Sequence, residues 1–218
     1  MKPDIAGWDE ILPKLPADRP VGIMLRHAER PEFRLGEDGH HFRLTPNGVA
    51  AALSLGKRMG DRIAGLAASP VPRCVETAAE IGRGAGHDGP VVETEILGHP
   101  GIFVSDPERA MQTLVSLGLV GFVEALGDGE RLDGMKPPRP AAGELLQFML
   151  DASAENGPGL TLFATHDIVV GPFVSLLGRD GCRPPRGRIF GFLAGVAFWR
   201  ADGEVRAATR YGIGRLIS

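Results

Sequence analysis

A chain of 218 residues can bury one well-filled core and is too small for two comfortable domains. Its 24 basic and 27 acidic side chains leave a net charge of -3, so nothing draws the whole molecule toward nucleic acid or an anionic membrane. Any basic site must be local. No stretch reads as a transmembrane span, and residues 115–127 are expected to form a short apolar helix with charges close by. The opening Met1-Lys2-Pro3-Asp4, soon followed by Asp9, Glu10 and Lys14, lacks the apolar centre of a secretory signal. With Cys74 and Cys182 as the only cysteines, the expectation is a cytoplasmic protein with reduced thiols.

Residues 1–20 read as an N-terminal helix or lead-in that docks through Trp8, Ile11 and Leu12. The apolar run Val21-Gly22-Ile23-Met24-Leu25 after Pro20 predicts a short buried strand over 21–26, followed by a polar loop through Gly36, Asp38 and Gly39. Thr45 and Pro46 predict a helix start, with Val49, Leu53 and Met59 as its buried stripe. Residues 66–69 predict a second strand, Pro70 a helix running to about Ile81, and residues 91–94 a third strand. Between 98 and 157 the pattern changes. Ser105-Asp106-Pro107 opens one helix, and the joint at Pro137, Pro138 and Pro140 precedes another; together they suggest a small helical cap insertion beside the sheet. Residues 160–165 give the strongest central-strand signal, and a helix over 168–178 and an Arg- and Pro-rich loop follow. Val196-Ala197-Phe198-Trp199, a turn at Asp202-Gly203 and Val205-Arg206-Ala207-Ala208 predict a C-terminal hairpin. Strands alternating with helices make the expected fold α/β, a single-domain three-layer α/β/α sandwich with a mostly parallel central sheet.

The chemistry gathers at three strand ends. Leu25-Arg26-His27-Ala28-Glu29-Arg30-Pro31 places a histidine between arginines where the first strand stops. Ligands of open parallel sheets collect at such carboxyl ends. Guanidiniums suit phosphate oxygens, and like charge favours a neutral, nucleophilic imidazole. Arg73, in the first turn of the helix after Ser69-Pro70-Val71-Pro72, extends an anion site at a helix N-terminus. Ala164-Thr165-His166-Asp167 ends the strong central strand. Phosphoryl transfer needs in-line attack and neutralised equatorial oxygens. Arg26, Arg30, Arg73 and a protonated His166 would supply the second without metal or cofactor. An imidazole nucleophile at His27 splits hydrolysis into two displacements, and a carboxylic acid should protonate the leaving alkoxide. Asp167 is the first candidate acid and Glu29 a weaker one, better suited to pairing with Arg30. The plainer reading of Asp167 is a local ion pair or helix cap.

These motifs resemble the histidine phosphatase superfamily, with its phosphoglycerate mutase-like fold. The resemblance rests on Arg-His-Ala-x-Arg-Pro, Leu-Thr-x-x-Gly, Ser-Pro-x-x-Arg-Cys-x-x-Thr-Ala and a late Thr-His-Asp, in the family's order from residue 25 to 167. It implies that His27 becomes phosphorylated, that Arg26, Arg30, Arg73 and His166 bind the phosphoryl group, and that Asp167 donates the proton as in the acid phosphatase branch. Thr94-Glu95-Ile96-Leu97-Gly98 resembles the loop carrying the donor glutamate in the other branch, which makes Glu95 the second candidate. Ala28 stands where glycine is usual and requires negative φ. Pro31 directly follows Arg30, one place early for the acid phosphatase pattern, and Pro31-Glu32-Phe33-Arg34 lacks the asparagine of the mutase branch.

Other residues have bland readings. His40-His41 are loop residues near the site's rim and show no metal-ligand pattern; His99 is a loop histidine, with a substrate-facing role as the alternative. Arg183, Arg186 and Arg188 form a solvated basic loop or greet a second acidic group on the substrate. Cys74 has either a pKa lowered by Arg73 or the role of a small buried hydrophobe. The sequence therefore reads as a metal-independent phosphomonoesterase acting on a phosphorylated small molecule, with no nucleic-acid or membrane partner and no cofactor. A phosphoryl-transferring mutase, a protein phosphohistidine phosphatase and a non-enzymatic sensor of phosphorylated ligands remain as alternatives.

Overall fold

The computed structural model describes residues 5–32 and 39–217. In chain order the elements are α1 (Ile5–Ile11), β1 (Pro20–Arg26), α2 (Pro46–Met59), β2 (Ile63–Ala68), α3 (Pro72–Ala85), β3 (Val91–Glu93), α4 (Pro107–Asp128), α5 (Pro138–Asn156), β4 (Gly159–Thr165), α6 (Asp167–Leu177), β5 (Gly178–Arg179), β6 (Gly195–Ala201), β7 (Glu204–Thr209) and β8 (Gly212–Leu216). A 3-10 turn, Glu95–Leu97, follows β3.

Beyond their first residues β1 and β4 are buried throughout, as near-continuous apolar strands covered on both faces must be. Alternation splits their side chains between two helical layers. Ile23 and Leu25 of β1 and Leu162 of β4 pack with Trp8, Leu55 and Ile81 under α1, α2 and α3. Met24, Phe163 and Phe198 pack with Phe122, Leu145 and Phe173 under α4, α5 and α6. The result is a single α/β domain with helices on both sides of the sheet.

The strand order is β3-β2-β4-β1-β6-β7-β8-β5. It is parallel from β3 to β1 and antiparallel from β1 onward, so the sheet is mixed where a mostly parallel one was expected. Turn chemistry explains the difference. Asp202 (φ 52°) and Gly203 (φ 77°) form a tight hairpin turn, which can join only antiparallel strands. The return through β8, unmarked by strong alternation, escaped the sequence reading.

Thr45 caps α2 as expected, accepting a hydrogen bond from the Gly48 amide at 3.0 Å. Its buried stripe is Gly48, Ala51, Ala52, Leu55, Gly56 and Met59, with Val49 and Leu53 only half-buried. The core side of α2 is made of small residues because α3 lies against its backbone. A Cβ on Gly56 would meet the Ile81 carbonyl oxygen at 2.0 Å. The next helix, α3, starts at Pro72, two residues later than expected.

The short apolar helix expected over 115–127 is part of the 22-residue α4, which is by length and composition of membrane-spanning size. Its backbone leaves helical geometry at Gly118 (φ 67°, ψ 165°), and Leu114, Phe122 and Leu126 pack into the core it shares with α6.

Candidate active site

The parallel half of the sheet delivers its carboxyl ends to one edge. The ladder continues one residue past β1, where the His27 amide donates to the Thr165 carbonyl at 2.8 Å. The Ser69 amide does the same toward Ala164 at 3.0 Å. Pro72 at the start of α3 sets Arg73 in its first turn, and His166 is the residue from which α6 begins. Arg26, His27, Ser69, Arg73, His166 and Asp167 are all buried here.

Hydrogen bonds fix the state of both imidazoles. His27 Nδ1 lies 2.7 Å from the Ala28 carbonyl oxygen, which can only accept, so Nδ1 carries the proton. Its Nε2 therefore has a free lone pair, and it accepts from Arg73 Nε–H at 3.1 Å. Burial first, then His166, Arg73 and Arg26, hold this imidazole well below its ordinary pKa. The neutral imidazole expected from the flanking arginines is present.

His166, which would help neutralise the phosphoryl oxygens if protonated, is neutral here. Its Nδ1 faces Arg73 Nη2 at 3.4 Å, a group that only donates, and its Nε2 donates to Ser69 Oγ at 3.1 Å. Ser69 in turn donates to the Gly98 carbonyl at 3.3 Å. Burial and the charges of Arg73, His40, Arg26 and His99 push its pKa well down. Before an anion arrives, His166 is a neutral imidazole.

Asp167 forms an ion pair with Arg26 (Nη2–Oδ2 2.8 Å) and accepts from the Ile168 amide through Oδ1 at 2.9 Å, at the N-terminus of α6. Arg26 is further held by the Phe190 carbonyl at 2.9 Å and stacks on the Phe192 ring at 4.4 Å. Half-buried Arg30 donates to the Pro31 carbonyl at 2.7 Å. Burial, then Arg26 and Arg73, lower its pKa, while Asp167 and Glu32 act the other way. Glu29 does not take the expected role. Its Oε1 accepts from the Thr45 hydroxyl at 2.7 Å, tying the loop to the α2 cap. Glu95 is exposed at the start of its 3-10 turn, and no hydrogen bond among the described residues joins its side chain to His27, Arg73 or His166.

Several contributors were not foreseen. Thr77 Oγ1 accepts from the Ala28 amide at 2.9 Å and donates to the Arg73 carbonyl at 2.6 Å, fastening the loop of His27 to α3. Ala28 has negative φ and a buried methyl group, so alanine is accommodated. Phe192 packs against His27 at 5.7 Å between centroids. A Ser at a strand end and a Phe in an irregular loop carry little signal in sequence. The basic loop is solvated, with Arg183, Arg186 and Arg188 all exposed; Arg186 pairs with Asp128, Arg183 donates to the Gly178 carbonyl, and the Gly187 amide donates to Glu124. Cys74 is fully buried and its thiol is pushed up to about 12 by burial, against the pull of Arg73. It is a packing residue. Of the polar loop expected through Gly36, Asp38 and Gly39, residues 33–38 lie outside the described residues. Among those described, no group of three or more His, Cys, Asp or Glu side chains is placed to hold a metal ion.

Residues 23–98 match the model of the histidine phosphatase superfamily (branch 1). The chain has the fold and the opening signature of the histidine phosphatase superfamily. The signature covers His27, Arg73 and Glu95; His166 and Asp167 lie beyond it. Arg30-Pro31 and His166-Asp167, which resemble the acid phosphatase branch, thus accompany a branch 1 match. Bacillus stearothermophilus YhfR superimposes with a TM-score of 0.58 at 19% identity, over 87% of this chain and 95% of its own. A mycobacterial glucosyl-3-phosphoglycerate phosphatase gives 0.57 at 14% identity, over 91% and 97%. A phosphoserine phosphatase variant from Entamoeba histolytica, solved with phosphoserine, gives 0.53 at 17% identity, over 87% and 95%. At these identities the likeness shows the shared fold alone. No curated protein matches the sequence.

Proposed function

We propose that this protein is a phosphomonoesterase of small molecules that works through a phosphohistidine on His27. The observation that carries the reading is the His27 tautomer. Its Nε2 lone pair is neutral, buried and set against Arg73. An incoming phosphate dianion takes over Arg73 Nε–H, which releases the lone pair for attack on phosphorus. As the Nε2–P bond forms, the P–O ester bond breaks, and Arg26, Arg30 and Arg73 neutralise the equatorial oxygens. A dianion also favours a proton on His166.

The leaving alkoxide takes its proton from Asp167. Arg26 and the Ile168 amide hold that group beside the phosphate pocket, and as an acid it supplies the proton of the leaving oxygen. Asp167 then takes a proton from water, whose oxygen attacks phosphorus; the P–N bond breaks and its pair returns to Nε2. Glu95 is the second candidate donor, on the strength of the branch 1 match and its loop. That structural neighbours include phosphatases named for glucosyl-3-phosphoglycerate and phosphoserine supports a phosphorylated small molecule as substrate.

Hydrolysis of p-nitrophenyl phosphate, with chelator present, tests this reading. Wild type should release orthophosphate, and His27→Ala should lower kcat/KM by more than about a thousandfold. Asp167→Asn should cost about a hundredfold or more on an alkyl phosphate and much less on the aryl ester, whose leaving group needs little protonation. The same split in Glu95→Gln alone would transfer the donor role to Glu95. Turnover that survives His27→Ala overturns the proposal, and transfer to a second hydroxyl without orthophosphate release makes the protein a mutase.

A further inference from the structure

The end of α6 farthest from the candidate active site is gripped by three arginines. Arg139, in the first turn of α5, donates through Nη1 to the Leu176 carbonyl at 3.1 Å. Arg179 of β5 donates through its own Nη1 to the same oxygen at 3.2 Å and to the Gly178 carbonyl at 2.6 Å. Arg183 completes the series, its Nε–H reaching the Gly178 carbonyl at 2.7 Å. Each carbonyl is shared by two guanidiniums, so neighbouring cations are separated by no more than two hydrogen bonds. Gly178 permits the approach: a Cβ there would fall 2.9 Å from Cys182 Sγ and 3.3 Å from Arg183 Cγ.

Capping of α6 explains only part of this arrangement. The carboxyl end of a helix carries roughly half a negative charge, against three guanidiniums here. Arg139 also stands at the amino end of α5, where the helix dipole repels a cation. Among the described residues no carboxylate forms an ion pair with any of the three. Asp180, next to Arg179 in the chain, pairs with Arg215 at 2.8 Å, and Asp128 pairs with Arg186. Burial, then the charges of Arg183 and Arg139, hold the Arg179 guanidinium below its ordinary pKa, while Cys182 and Asp180 act the other way. The carbonyls occupy one nitrogen of each guanidinium, and the other donors remain for a ligand.

We propose that Arg139, Arg179 and Arg183 form a second anion site, separate from the phosphoryl pocket, that takes a compact polyphosphate group. Guanidiniums match phosphate oxygens in bidentate pairs, and three of them favour an anion with more charge than one phosphate carries. Asp167, which pairs with Arg26, begins α6, and the 11 residues of that helix put about 16 Å between the two anion sites. One small anion cannot span both, and the second site does not depend on the phosphatase reading.

Calorimetry of the whole chain with inorganic pyrophosphate, chelator present, tests this. Wild type should show two binding events, and Arg139→Gln with Arg183→Gln should remove one of them. In an Arg73→Ala background, which weakens the phosphoryl pocket, the α6 site should persist. There the same two substitutions should weaken binding about tenfold or more, and either alone about threefold. Arg109→Gln, which removes an exposed charge paired with Asp106 on another face, should cost less than about twofold. Adenosine triphosphate identifies the source of the group: tighter binding than pyrophosphate supports a site for a nucleotide's tail, weaker binding a site for the free ion. A single binding event in wild type that both glutamine substitutions leave intact overturns the proposal. So does an equal loss in Arg109→Gln and the double variant. Turnover of p-nitrophenyl phosphate bears only on His27, so its absence would sink the phosphatase reading and leave this site to the calorimetry.

Discussion

His27 is buried as a neutral imidazole, so folding stability must depend on pH at this residue. In the unfolded chain a histidine takes up its proton near pH 6.5. In the fold, burial and the neighbouring His166 and arginines hold His27 well below that value. Below about pH 6.5 the unfolded chain then binds more protons than the native one, and stability falls as pH falls. It does so by up to about 1.4 kcal/mol per pH unit for this group. Denaturant unfolding between about pH 7.5 and pH 5 should show a shallower fall for His27→Gln than for wild type; identical slopes would contradict the burial argument. Cys74 and Cys182 give a second check at the same scale. Both are buried and burial raises both thiols, Cys74 to about 12. A thiol reagent should modify neither in the native protein and both once denaturant is added; rapid native labelling of Cys74 would show that its site opens.

Packing between α2 and α3 is governed by glycine. A Cβ on Gly56 would meet the Ile81 carbonyl oxygen at 2.0 Å, and one on Gly84 the Leu53 carbonyl oxygen at 2.2 Å. Alanine in a helix interior gains about 1 kcal/mol over glycine in propensity, whereas overpacking against backbone costs about 1–3 kcal/mol or more. Backbone carbonyls cannot swing aside as side chains do, so the steric term wins. Gly56→Ala should lower unfolding stability by about 1–2 kcal/mol, and a neutral or stabilised variant would show that the helices can separate. This contact also matters for the site. The same α3 presents Arg73 in its first turn and Thr77 one turn later, where the threonine ties it to the loop of His27. Thr45 and Pro46 disclose where α2 begins, but a pattern of large apolar residues cannot identify a glycine face: Met59 lies on the buried stripe, whereas Val49 and Leu53 lie at its edge.

Both apolar layers share β1 and β4, so the molecule has one sheet-centred core and its surface ties are secondary. Phe163 of β4, fully buried, lies between Phe148 and Phe198 with ring centroids 6.4 Å from each. The ion pair of Arg186 with Asp128, which fastens the basic loop to α4, has side chains 80% and 49% exposed. Phe163→Ala should cost about 3–5 kcal/mol of stability, while Asp128→Asn should change it by less than about 0.5 kcal/mol. Thermal or chemical unfolding of the two variants separates these cases, and a large loss in Asp128→Asn would make the α4 clamp structural in earnest.

The sequence by itself determined the strands that carry the site and most of its charged residues. An apolar run that stops at Arg26-His27, a proline that opens a helix before Arg73, and a central strand that stops at His166 are local signals, each set by a few neighbouring residues. Parallel strands bring such ends to one edge. Three things were left to tertiary structure because they depend on partners distant in the chain. The protonation of His27 and His166 follows from the Ala28 carbonyl, Arg73 and Ser69. The Arg26–Asp167 pair and the Phe192 ring under Arg26 join segments well over a hundred residues apart in the first case and more in the second. The meeting of His40 with His99 requires two irregular loops to close on each other, and no periodicity or turn rule encodes that closure.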